Sequence, residues 1–239
     1  KKMQLFIIKF FLGFFYFLNQ KKIYRFLSLK LGKKIDFVLD VGCHRGETIK
    51  ILNSTFNVNK IYGFEPSKEN FSFLQKIEKK NDNIELFNFA CGEFNETKKL
   101  KFSIESSSST INEINYESKY YKIKKLLLLG LKKKDMFIDE QILVKRLDEF
   151  LIKEDIANID LLKIDTEGYE FNVLKGASGV LKKINLIYFE HHYDDMIKKN
   201  YNFSEIHDYL TKNNFVKLFK SKMPFRRTFE YIYQNKDFL

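Results

Sequence analysis

The stretch LLKIDTEGYEFNVLKGA, residues 161–177, ends an apolar run in Asp165 and Glu167, then continues through Gly168 into a helical pattern. Residues two apart in an extended chain point to the same side, so these carboxylates can face one ligand. Such a pair can hold an ammonium group or take the proton of a hydroxyl. Further on, INLIYFEHH (184–192) ends in Glu190, His191 and His192. An unperturbed imidazole titrates near neutrality, which makes both histidines candidate general bases, with Asp165 as their rival. Neighbouring strand residues face opposite ways, so at most one histidine enters a cleft. The catalytic set is Asp165, Glu167 and His191. Asp165, Glu167 and Glu190 are also hard oxygen ligands for a divalent ion, but no metal is expected. His207 lies inside a helical pattern and reads as structural.

A second constellation is DVGCHRGE, residues 40–47. Gly42 permits a tight turn with close backbone approach, and Gly46 opens the following helix. A dinucleotide fingerprint would need glycines at positions 44 and 47, where this chain has His44 and Glu47. Glu47 at the helix start also disfavours a pyrophosphate, so a ligand without phosphate suits the turn better. Glu65 lies 25 residues after Asp40, at the end of another apolar run. An acid there can accept both hydroxyls of a ribose, with Phe64 and Pro66 flanking an adenine. Cys43 and Cys91 read as small wall residues rather than nucleophiles.

Strands must bring these groups together. IDFVLDV (35–41), KIYGFEP (60–66), NIELFNFACG (83–92), NIDLLKID and INLIYFEHH are strand-like runs. Helical patterns alternate with them, among them SKENFSFLQKIEKK with Ser67 at a helix-capping position. The alternation predicts an α/β fold, a doubly wound and mostly parallel sheet with helices on both faces. FVKLFK and FEYIYQN predict a closing antiparallel pair. Ligands of such sheets sit outside the carboxyl ends of the strands. Five ends carry acids, glycines or histidines: Gly42–Gly46, Glu65–Ser67, Ala90–Gly92, Asp165–Gly168 and Glu190–His192. Residues 93–140 break the rhythm and predict an insertion at about 105–140 that supplies substrate-specific structure. Within it, KYYKIKKLLLLGLKKK (119–134) is a basic segment with a leucine core, suited to a lid, a membrane-touching patch or a partner surface.

The net charge of +11 suggests nucleic acid until it is located. Residues 1–34 hold nine Lys or Arg and no acid, leaving the remaining chain at +2. The expected organisation is therefore a basic, hydrophobic helical arm over 1–34 and a single domain over 35–239, with no nucleic-acid partner. The arm's apolar stretch Leu5–Leu18 contains Lys9 and falls short of the roughly 20 residues that span a bilayer. It suits a helix lying in a membrane interface, or one packed on the domain or on a second subunit. Two cysteines make no disulfide framework and suit a reducing compartment. A cytoplasmic protein, peripheral at the inner membrane face, and a homodimer are the corresponding expectations.

The blocks DVGCHRG, FEPS, FACGE, VKRLDEF and LLKIDTEGYEFNVLKGA together resemble the FkbM family of S-adenosylmethionine-dependent methyltransferases, over about residues 36–192. The resemblance implies a Rossmann-like class I methyltransferase fold, a seven-stranded sheet with an antiparallel last strand. It implies S-adenosylmethionine as cofactor, with Asp40, Gly42, Cys43, His44 and Gly46 at the methionine-binding turn. Glu65 would meet the ribose, and Ala90 with Cys91 the adenine, with Pro66 in the same cofactor set; Asp165, also in that set, joins Glu167 and Gly168 in the acidic motif. His44 departs from the asparagine common there. The implied activity is O-methylation of a hydroxyl on a sugar, glycan or glycolipid. Two alternatives are a catalytically silent membrane-associated adaptor and a nicotinamide-dependent oxidoreductase, the latter disfavoured by the missing glycine.

Overall fold

The computed structural model describes residues 2–103, 109–129, 135–154, 156–224 and 226–239, with side chains from residue 15 onward except 128 and 129. Parts of the expected insertion, residues 104–108 and 130–134, lie outside the described residues. Seven strands form one sheet: β1 (Lys34–Val41), β2 (Asn57–Phe64), β3 (Ile84–Phe87), β7 (Ile159–Ile164), β8 (Ile184–His192), β9 (Phe215–Lys222) and β10 (Thr228–Asn235). Their order is β3-β2-β1-β7-β8-β10-β9. All neighbours are parallel except at β10, which runs antiparallel to both β8 and β9. The sheet is therefore mostly parallel with one reversed strand near its end.

The register decides where the chemistry gathers. Val41 pairs with both Phe64 and Ile164, and Ile164 pairs with Phe189. The next residues, Glu65, Gly42, Asp165 and Glu190, thus form one row across β2, β1, β7 and β8. At about 4.8 Å per strand the row spans roughly 14 Å. The strand order reverses between β1 and β7, the place where doubly wound sheets open a crevice.

Apolar side chains alternate between two cores. Leu39, Leu162, Ile187 and Phe189 face one side with the helices α5 (Leu147–Ile152), α6 (Glu170–Gly176) and α7 (Phe203–Lys212). Val38, Leu161, Leu186, Tyr188 and Ile232 face the other. There they meet α2 (Glu47–Thr55), α3 (Lys68–Glu78) and a long first helix, α1 (Lys2–Leu31). Ile23, Tyr24 and Leu27 of α1 are buried in that core.

A polar clamp reinforces α1. Glu230, 1% exposed, accepts hydrogen bonds from Asn19, Gln20 and Tyr188, the last two at 2.7 and 2.6 Å. Ser221 donates to Asn19 at 2.6 Å. Among the described residues no helix is long and apolar enough to cross a membrane.

Two local expectations change. The run 83–92 is two strands, because Asn88 leaves the ladder to donate to the carbonyls of Glu65 and Pro66. Beyond it, β4 (Ala90–Cys91) joins a separate three-stranded sheet, β4-β6-β5, with β5 (Glu96–Ser103) and β6 (Phe137–Lys145). The helical pattern after Gly168 ends at Gly176, where a Cβ would run into the backbone carbonyl of Gly92. A short 3-10 turn, Ser178–Lys183, follows.

Candidate active site

A cavity of about 480 Å³ opens along the row of strand ends, within the range of small-molecule sites. Gly42, Cys43, His44, Glu65, Pro66, Ala90, Cys91, Asp165 and Glu167 line it.

Gly42 is held at φ +83, and a Cβ there would stand 2.0 Å from the carbonyl oxygen of Asp165. Only glycine lets the β1 turn lie so close to β7. The turn aims the His44 amide at Glu65 Oε2, 2.9 Å away, while the Ser67 amide donates to Oε1 at 3.0 Å. Two pinned acceptor oxygens side by side fit a vicinal diol. Burial lifts Glu65 to about 7. The thiols of Cys43 and Cys91 are likewise pushed up by burial, which keeps them inert walls.

The acidic turn after β7 is built by a residue the sequence analysis passed over. Glu170, fully buried, accepts from the Gly168 amide at 2.8 Å and from the Tyr201 hydroxyl at 2.7 Å. Thr110 donates to the carbonyl of Glu167 at 2.7 Å, tying the loop after β5 over the turn. Glu167 adopts φ +50, a left-handed conformation costly for a residue with a Cβ. The turn has therefore begun at Glu167, so Asp165 and Glu167 are not a simple same-face strand pair.

Lys163 was also missed. It is 6% exposed, lines the cavity, and holds its ammonium 3.3 Å from Asp165 and 3.7 Å from Asp40. Burial opposes its charge, but Asp165 and Asp40 more than offset that and keep it protonated. Its spacing from Asp165 is the same two-residue step that singled out Glu167, so the signal was present.

Three expected site residues stand off the cavity wall. Asp40 lies beneath Lys163, 0% exposed and with both oxygens lacking hydrogen bonds among the described residues. Burial raises it to about 6, against the pull of Lys163. Gly46 caps α2 at φ +83 instead of lining the wall. His191 requires a correction: strand alternation turns it into the opposite core, beside Tyr193, Tyr201 and Phe203. Burial pulls it down to about 3, as a neutral ring.

His192 faces the site instead. Its Nε2 lies 3.3 Å from Glu167 and 3.2 Å from Glu190, and its Nδ1 3.6 Å from Asp194. Burial works against the imidazolium, but the carboxylates hold it charged to about 10. It is thus a counter-ion and unavailable as a base. Glu190 is raised well above its usual range, first by burial and then by Asp165. Among the described residues no His, Cys, Asp and Glu grouping has metal-binding geometry. Tyr16 of α1 and Arg226 of the β9–β10 turn complete the wall near these acids.

A sheet in this strand order, with its crevice at the switch point, has the Rossmann-like class I methyltransferase fold. The model of the Methyltransferase FkbM domain matches residues 40–217, and the chain belongs to this family. Its fold is similar to the FkbM methyltransferase of Methylobacillus flagellatus KT, at TM-score 0.52 and 15% identity, covering 83% of this chain and 44% of that one. The chain thus spans less than half of that relative's length. It is also similar to M. capricolum TrmK in complex with S-adenosyl-homocysteine, at TM-score 0.50 and 10% identity, covering 89% and 67%. A third similar structure is the magnesium protoporphyrin IX methyltransferase of Synechocystis PCC 6803 with bound SAM, at TM-score 0.50 and 7% identity, covering 90% and 77%. No curated protein matches this chain.

Proposed function

We propose that this chain transfers a methyl group from S-adenosylmethionine to a hydroxyl of a sugar, glycan or glycolipid. The observation that carries the reading is one cavity with two chemically different ends. Gly42, Glu65, Pro66 and Cys91 line one end; Asp165, Glu167 and Glu190 line the other. The first suits a nucleoside with a vicinal diol, and the second a partner rich in hydroxyls.

When bound, the cofactor supplies an electrophilic methyl on a sulfonium centre. Gly42, Cys43 and His44 would hold its amino-acid part, Glu65 its ribose, and Pro66, Ala90 and Cys91 its base. The chain's main contribution is to hold the acceptor oxygen in line with that methyl. A carboxylate against the sulfonium would stabilise the ground state more than the transition state. The acids therefore serve the cofactor's ammonium or the acceptor. Asp165, next to Gly42 in the row and so the acid of that end nearest the cofactor turn, is the base that takes the hydroxyl proton. Lys163 steers that carboxylate, and His192 keeps Glu167 and Glu190 compensated.

The test is transfer of a labelled methyl from S-adenosylmethionine into cell-envelope glycan and lipid extracts. Label should enter a base-stable ether in a sugar-containing fraction, and Asp165→Asn should lower it by about 10²-fold or more. Label confined to RNA or protein would overturn the acceptor class, and wild-type rates in the variant would remove Asp165 from proton transfer.

A further inference from the structure

A helix packed on a domain normally turns its apolar side inward. Helix α4 (Lys119–Leu129) does not follow this rule. Ser118 caps its start and donates to Asp195 at 2.6 Å, and Tyr121 is buried with Ile114, Met136, Phe137, Met196 and Ile197. The face opposite Tyr121 carries Ile123, Leu126 and Leu127, exposed by 58, 56 and 49%, beside exposed Lys119 and Lys122. Lys122 pairs with Glu117 at 2.7 Å. Residues 119–127 contain four lysines and no acid.

The described outer flank of α1 has the same composition. Phe17, Leu18 and Leu29 are exposed beside Lys21, Lys22 and Arg25. Both helices adjoin the acidic end of the cavity. Tyr16 lines it directly, and Ser118 at the start of α4 is bonded to Asp195, the neighbour of the Asp194 that stands 3.6 Å from His192. Apolar side chains interleaved with cations fit the headgroup boundary of an anionic membrane.

We propose that the outer faces of α4 and α1 form an anionic-bilayer docking surface bordering the acidic end of the cavity. The apolar residues enter the headgroup layer while the lysines meet anionic lipid. The cavity then opens at the membrane surface, whichever hydroxyl is methylated.

Co-sedimentation of the full chain with phosphatidylcholine vesicles, with and without phosphatidylglycerol, tests this. Binding is expected to need the anionic lipid and to weaken with salt. The triple variant Ile123→Asp, Leu126→Asp, Leu127→Asp should lose about tenfold or more in vesicle affinity while S-adenosylhomocysteine binds as before. Lys21→Glu with Lys119→Glu, which leaves the apolar face intact, should also weaken binding to the anionic vesicles. Absence of vesicle binding, equal binding to neutral vesicles, or wild-type binding by both variants would overturn the proposal. So would light scattering that shows a dimer which the triple variant splits, since the covering partner is then a second copy.

Discussion

At the residue scale, the site is a line of buried charges stabilising one another. Lys163 stands between Asp40 and Asp165, so its loss strands a fully buried carboxylate. Breaking such a cluster from one side costs about 3–5 kcal/mol. Lys163→Met should lower urea-unfolding stability by about that much, and adding Asp40→Asn should recover part of it in a double-mutant cycle. A loss no larger than that of an exposed lysine would show that the cluster is inert.

Glu65 predicts two opposite pH dependences. Its carboxyl is raised from 4.5 to about 7 by burial, so the fold favours the neutral form. Its contribution to the stability of the free protein is complete below 4.5 and is lost as pH rises through 7. Ribose recognition needs the anion, so S-adenosylhomocysteine affinity should instead rise through that range. Calorimetric titration and thermal melts across pH 5–8 should show both trends, and Glu65→Gln should flatten both. Cofactor affinity unchanged with pH in the wild type would remove Glu65 from ribose binding.

At the scale of elements, α1 is decided by its clamp. Of the placements open to the arm, its described half packs on the domain, with Leu27 0% exposed and Glu230 bridging Asn19, Gln20 and Tyr188. Leu27→Ala should cost about 2–5 kcal/mol by thermal denaturation. Deleting residues 1–31 should leave Glu230 short of partners and the core open, so the truncated chain should aggregate. A stable monomer that binds cofactor normally would show that α1 is a removable anchor. His191 and His192 carry the matching lesson for β8: one residue of alternation separates a neutral core ring from the imidazolium that compensates Glu167 and Glu190.

For the whole molecule, the strand order matters more than any single motif. The crevice lies at the paired ends of β1 and β7, where the strand order reverses, and the register sets four strand ends at one level. A ligand bound there bridges several elements and should raise the melting temperature of the whole sheet. S-adenosylhomocysteine at about 100 times its Kd should add about 2.7 kcal/mol of stability, while NAD should add nothing. Stabilisation by NAD alone would favour a nicotinamide enzyme.

The amino-acid sequence by itself determined the alternation of strands and helices, the glycine turn, the strand-end acids and the family, because each is written in local spacing and residue type. Nine of the expected site residues line one cavity for that reason. Tertiary structure alone decided what depends on register and long-range partners. It chose His192 over His191, set Lys163 between two acids, gave Glu170 the task of shaping the turn, and brought Tyr16 to the cavity wall. Those choices rest on contacts between residues up to 211 positions apart, such as Asn19 with Glu230. Local periodicity carries no record of a partner that far away, and burial, which sets every charge in this site, exists only once the chain has closed.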